Sequence, residues 1–356
     1  MIKKVLYLLV FAISILFTNC TDKFEITDVN TGSGAGNIND TLYVKLSPDW
    51  TGFNKPQDIL IGHEPFVYIA DTGNDRVVML NVAGDILGSV NIQHPVKLAQ
   101  DFRLNLIVCG ELVDSNGTTY SAVFKLDLFG AQHQIANAKI DTLLPKSAFD
   151  FLRPDRSFTS AAVFSDNSFY IGRTGPANSN SIDPDNVILS YKVTEDSLGN
   201  RNNKFIGKVP GFTSTGTGIL SANGISSITT FGNQGRDIIV SLKGENSFKV
   251  QWLAFVQSND FTGYQNKLQE FASDLMIPNK FDSPEDVTVD PSNNIYVVDS
   301  QKDSLFKFNA FGDERESFGG ADVFKSPHGV AYFNKTLYVA DTDNNRIVRY
   351  VLSTDL

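Results

Sequence analysis

The chain has 356 residues, with 30 lysines and arginines against 40 aspartates and glutamates, a formal charge of −10. It has no basic run able to neutralise several phosphates, which excludes nucleic acid as a partner. Nor can such a chain hold itself to an anionic membrane surface by charge alone, and two cysteines, Cys20 and Cys109, do not make a disulfide framework.

The first element in chain order is a leader. Lys3 and Lys4 form a basic start, Val5–Phe17 is almost wholly apolar, and Cys20 follows Thr18 and Asn19. The apolar run is too short for an ordinary spanning helix, so residues 1–19 read as a signal segment. A cysteine at its end resembles the lipobox of bacterial lipoproteins, with Asn19 standing where a small residue is usual. That resemblance implies lipid on Cys20 and export. It places the chain at the bacterial outer membrane, facing the periplasm or the cell surface, with lipid as its one membrane contact. Residues 20–40 are poor in apolar side chains and carry a Gly/Ser stretch, the composition of a flexible tether. Gly32, Gly34 and Gly36 open no helix, so they form no phosphate loop. Cys109 lies in the apolar run LIVCG and reads as an inert, buried small hydrophobe.

From residue 41 onward, apolar and β-branched runs of five to eight residues alternate with Gly, Asn, Asp and Pro clusters, the pattern of short strands and turns. Two stretches nearly repeat: YIADTGNDR at 68–76 and YVADTDNNR at 338–346, each downstream of a proline, Pro56 or Pro327. A weaker copy runs from Pro284 to Asp299. Aligning the strand-ending acids Asp71, Asp299 and Asp341 with Glu111, Arg173 and Lys243 gives intervals of 40 to 70 residues. The shortest match the ~40–45 residues of a four-stranded propeller blade, and the polar stretches 175–186 and 196–204 read as inserted loops. The first unit supplies strands at about 57–62, 66–71, 76–81 and 86–91. The last supplies only three, at about 328–333, 337–341 and 346–352. An open seam would leave backbone unpaired, so the strand at 41–47 is expected to complete the sixth blade. The expected fold is therefore an all-β, six-bladed β-propeller over residues 41–356, closed by an N-terminal strand.

The pattern P-x-x-[IV]…Y-[IV]-A-D-T-x-N-x-R resembles the NHL repeat, strongly in units one and six, moderately in five and poorly in two to four. Functions vary widely on this frame, so the resemblance implies a fold more than an activity.

The repeat residues Asp71, Asn74, Arg76, Asp299, Asp341, Asn344 and Arg346 read as turn locks. A carboxylate ending a strand accepts N–H groups of the next turn, and Gly73, Asn74, Asn344 and Asn345 suit positive φ. Asp341, Asp343 and Asn345 copy the opening of a calcium loop. Arg346 and Leu352 stand where the EF-hand needs Gly and Glu, which leaves incidental calcium binding only. In the fold implied by the resemblance, the residues after each blade's proline, Gln57, Val96, Glu285 and His328, ring one channel mouth. Similar propellers include the zinc-dependent peptidylglycine amidating lyase, whose metal histidines lie in P-H-x-apolar segments. Ser326-Pro327-His328-Gly329-Val330 matches one such segment. The corresponding positions elsewhere hold Gln57 and Glu285, and His94 precedes its proline. Glu285 and His328 are the metal candidates. There is no G-x-S-x-G elbow and no E-G-P-x-W segment of the lactonase type. His63 and His133 read as exposed. Trp50 and Phe53, in SPDWTGFNKP, read either as an aromatic ligand platform or as a plug between blades.

Two functions follow. One is a lipid-anchored, non-catalytic module that binds a protein, peptide or glycan at the channel mouth, through Gln57, Glu285, His328 and Trp50. The other is a metal-dependent lyase or hydrolase with its site in the channel.

Overall fold

The computed structural model describes residues 42–197, 201–232, 235–268 and 273–355. The expected leader, Cys20 and the expected tether lie outside the described residues.

The apolar runs become strands because their β-branched and aromatic side chains fit a pleated surface packed on both faces. Strand β1 is Tyr43–Trp50. Blade one is β2 (Pro56–Ile61), β3 (Phe66–Asp71), β4 (Arg76–Asn81) and β5 (Ile86–Asn91). Blade two is β6 (Gln93–Gln100), β7 (Leu106–Val113), β8 (Thr119–Asp127) and β9 (Lys139–Leu144). Blade three is β10 (Ser157–Val163), β11 (Phe169–Thr174), β12 (Val187–Glu195) and β13 (Arg201–Lys208). Blade four is β14 (Ile225–Thr230), β15 (Ile238–Leu242), β16 (Val250–Gln257) and β17 (Thr262–Asn266). Blade five is β18 (Pro284–Val289), β19 (Ile295–Asp299), β20 (Ser304–Phe308) and β21 (Glu314–Gly319). Blade six is β22 (Pro327–Phe333), β23 (Thr336–Asp341) and β24 (Arg346–Leu352), completed by β1.

Each blade is an antiparallel four-stranded sheet, and the sixth has the order β1-β24-β23-β22. The expected closure is therefore present, with Tyr43 opposite Leu352 and Trp50 opposite Ile347. Strands of the first and last units fall within a residue of their expected bounds. Residues 175–186 form the loop between β11 and β12. The stretch 196–204 is different: β13 begins at Arg201 and pairs with β12 from Arg201 opposite Glu195 onward. Residues 201–204 sit on an exposed outermost strand, where polarity carries no sign of a loop.

The core lies between blades. On β3, Tyr68 and Ala70 pack against blade two, whereas Val67 and Ile69 pack against blade six. Alternate residues of one strand thus fill two interfaces. Six such clusters line the six junctions of the ring. Cys109 is fully buried in the junction of blades two and three, and burial pushes its thiol up to about 12. Among the described residues, no helix is long and apolar enough to cross a membrane.

Candidate functional site: the channel mouth and its ionic plug

The innermost strand of each blade begins at one mouth of the central channel. There a cavity of about 230 Å³ is lined by Gln57, Val96, Glu285 and His328, so the structure brings the expected ring together. Blades three and four contribute Thr159 and Ser226. Sequence reasoning set His94 aside and missed Lys243, yet both line the mouth. His94 has φ 44°, and the irregular pairing from Gln93 to Lys97 returns it to the ring. In the sequence Lys243 ends unit four at the position that holds Asp71 in unit one.

Glu285 is the most heavily bonded of these groups. Its side chain is 8% exposed, with Lys243 Nζ 3.0 Å from Oε2. Ser283 Oγ and Ser300 Oγ donate to Oε1 at 3.0 and 2.7 Å. Burial alone would raise its pKa, but the charges of His328 and Lys243 and the bonds from Ser300 and Lys243 outweigh it, leaving the carboxyl below its usual range. His328 Nδ1 lies 2.8 Å from Ser326 O. Only a donor can satisfy a carbonyl, so Nδ1 carries the proton and Nε2 faces Glu285 Oε1 at 3.9 Å.

The metal expectation meets a chemical test here. Catalytic zinc takes three protein ligands. Among the described residues, no group of three or more His, Cys, Asp or Glu is placed to hold an ion. Glu285 already receives an ammonium and two hydroxyls. The donor set does not fit zinc. Three of the hydroxyls at the mouth are also committed. Thr159 Oγ1 donates to Ile225 O at 2.5 Å, Ser226 Oγ to Pro284 O at 2.6 Å, and Ser121 Oγ to Gly110 O at 3.4 Å.

Below the mouth, one position further along the innermost strands, lie Asp58, Lys97 and Asp286, all buried. Lys97 Nζ is 3.1 Å from Asp58 Oδ1 and also bonds Asp286 Oδ1, so blade two reaches across the channel to blade five. The other oxygens accept backbone N–H groups of neighbouring blades, Leu98 to Asp58 Oδ2 at 2.7 Å and Val330 to Asp286 Oδ2 at 3.0 Å. Ser227 Oγ donates to Asp286 Oδ1 at 2.7 Å. Burial, with the charge of Asp286 behind it, pushes Asp58 up to about 6 against the opposing pull of Lys97. Burial opposes the charge on Lys97, and the two aspartates, Asp286 first, overcome it and raise the ammonium's value. Sequence reasoning missed this plug. Its signal was the recurrent P-x-[D/K] at Pro56, Pro95 and Pro284.

The repeat residues hydrogen-bond the turns they border. Asp71 accepts Asn54 N at 2.7 Å, Asn74 Nδ2 at 2.9 Å and Arg76 Nε at 2.7 Å. Asp341 repeats the pattern with Lys325 N, Asn344 Nδ2 and Arg346 Nε at 2.7, 2.9 and 2.7 Å. Asp299, with no arginine, accepts four backbone N–H groups, from Asp282, Ser283, Gln301 and Lys302.

Three expectations need correction. Positive φ falls on Asp75 (51°) and Asn345 (55°), not on Gly73, Asn74 or Asn344. The two asparagines instead bond the aspartate, and a Cβ on Gly73 would lie 2.6 Å from Asn54. Trp50 is no platform at the mouth: it is 6% exposed and packed with Phe53 and Tyr338 between blades six and one, which suits a large apolar ring better than water does. His133 is half-buried rather than exposed, its Nδ1 3.5 Å from Glu64 Oε1. His63 is exposed and stacks on Phe102.

Fold and site together define an all-β six-bladed propeller with a polar mouth over a closed channel. Residues 324–350 match the NHL repeat model, so this propeller carries an NHL repeat where YVADTDNNR stands. No curated protein matches the chain in sequence. Among solved structures, a luciferin-regenerating enzyme superposes with TM-score 0.55 at 11% identity, covering 88% of this chain and 95% of that one. An auxiliary nutrient binding protein from Bacteroides ovatus gives 0.54 at 11% identity, covering 85% and 70%. A protein of unknown function from Bacteroides thetaiotaomicron gives 0.50 at 14% identity, covering 88% and 72%. These similarities are of fold alone.

Proposed function

We propose that the protein is a non-catalytic binding module, tethered to the bacterial envelope by lipid on Cys20, that takes a protein or peptide on its channel-mouth face. One observation carries this reading. The rim beside the polar mouth is a rigid platform that displays apolar side chains. The connections 145–156 and 175–186 flank Ser157 and Thr174, which pair at the mouth end of blade three. Buried Asp185 ties them together, with Arg153 Nη2 at 2.6 Å and Arg156 Nε at 2.8 Å. Asp183 adds Arg156 and Arg173 at 2.5 and 2.8 Å. On this locked base Phe149 is 79%, Leu152 70% and Ile182 82% exposed. Apolar groups held in water on a rigid support mark an interaction site. The mouth beside them offers polar groups suited to peptide N–H and C=O.

Partner capture with residues 21–356 as bait tests this. One partner is expected to be retained by the wild type and by His328→Ala and to be lost with Leu152→Asp/Ile182→Asp. Stoichiometric metal in protein purified without chelator, lost in His328→Ala, would overturn the reading in favour of an enzyme.

A further inference from the structure

On the face opposite the mouth, blades two and three enclose a second cavity of about 520 Å³. Its floor is built from buried charge. Lys125 Nζ lies 2.8 Å from Asp101 Oδ2, with side chains 14% and 1% exposed, and donates across the blade junction to Asn203 Oδ1 at 3.3 Å. Two aromatic rings line it from the solvent side, Phe129 at 69% exposure and Phe102 at 40%. Arg103 lines its wall.

The charges that line this cavity balance: Asp101, Asp127 and Asp141 against Arg103, Lys125 and Arg201. A balanced lining does not select an ion. It offers carboxylate acceptors beside guanidinium and amide donors, which is what hydroxyl groups require, since each both donates and accepts. Exposed aromatic faces take the apolar C–H face of a sugar ring, and the cavity is within the usual size of a small-molecule site. We infer that this groove binds a neutral saccharide, with Phe129 and Phe102 as stacking platforms and Arg103 as a donor to a ring or hydroxyl oxygen. The site is separate from the mouth and does not depend on the protein-binding reading.

Calorimetric titration of residues 21–356 with neutral α-glucan, β-glucan and β-mannan hexasaccharides tests it. At least one is expected to bind. Phe129→Ala and Arg103→Met are each expected to weaken that binding about tenfold, equivalent to about 1.4 kcal/mol. The thermal midpoint of Phe129→Ala is expected to be unchanged, because the ring is mostly in water. Absence of binding by all three sugars would overturn the inference. So would wild-type affinity in both variants, loss of binding in Lys243→Ala alone, or a tenfold preference for a uronate hexasaccharide.

Discussion

Asp71 and Asp341 are fully buried carboxylates, each bonded to a backbone N–H, an asparagine and an arginine. The arginine side chains remain 29% and 24% exposed. Removing the two partners is therefore unequal. Arg76→Ala strands a buried charge, whereas Asp71→Asn leaves a guanidinium that can still reach water. Urea unfolding is expected to show Arg76→Ala as the larger loss, about 3 kcal/mol against about 1.5 kcal/mol for Asp71→Asn. The reverse order would mean that the carboxylate's backbone bonds matter more than its charge. These locks were legible in the sequence because DTGNDR and DTDNNR place acid, amide and guanidinium within one turn. The φ assignment was not, because glycine and asparagine serve close approach and side-chain bonding as readily as a left-handed backbone.

At the scale of elements, β1 decides whether the ring closes. It pairs with β24 from Tyr43 to Trp50, and Arg349 Nη2 bonds Pro48 O at 2.8 Å. Gly84, at φ 98° in the β4–β5 turn, gives way to Trp50: a Cβ there would lie 2.3 Å from the indole Nε1. Deleting residues 43–50 removes a whole ladder and a buried indole. Calorimetry is expected to show the thermal midpoint falling by about 10 °C or more. Deleting 21–36 is expected to leave it unchanged, and equal midpoints would remove the closure role of β1. The need for this strand was legible as a count, since the last unit holds three strands. The burial of Trp50 was not, because a tryptophan in a polar loop reads alike whether it faces a ligand or the next blade.

At the scale of the whole molecule, Lys97 ties blade two to blades one and five across the channel axis. Lys97→Met leaves Asp58 and Asp286 facing each other without a cation. It is expected to cost roughly 3–5 kcal/mol in urea unfolding, and adding Asp58→Asn and Asp286→Asn should recover most of that. A single mutant as stable as wild type would show that the plug is energetically idle. Asp58 also sets a pH dependence. Its folded value of about 6 lies above the ordinary ~3.9 of an unfolded aspartate. The folded chain thus holds more protons between those values, and the stability contributed by this group is present below about pH 4 and lost as pH rises through about 6. Relative to wild type, Asp58→Asn is expected to gain about 3 kcal/mol across that window. A flat difference would show that Asp58 is ionised throughout.

The strands, the blade count, the closing strand and the turn locks could be read along the chain, because each rests on local periodicity or on residues within one turn. The ring of Gln57, Val96, Glu285 and His328 was legible too, since one offset after each proline recurs. The ionic plug, the inclusion of Lys243 and His94 at the mouth, the locked rim at Asp183 and Asp185, and the groove between blades two and three emerged only in three dimensions. Each joins side chains separated by tens to hundreds of residues, and burial, which turns a charged residue from a solvated one into a partner, is a property of the closed ring rather than of any segment.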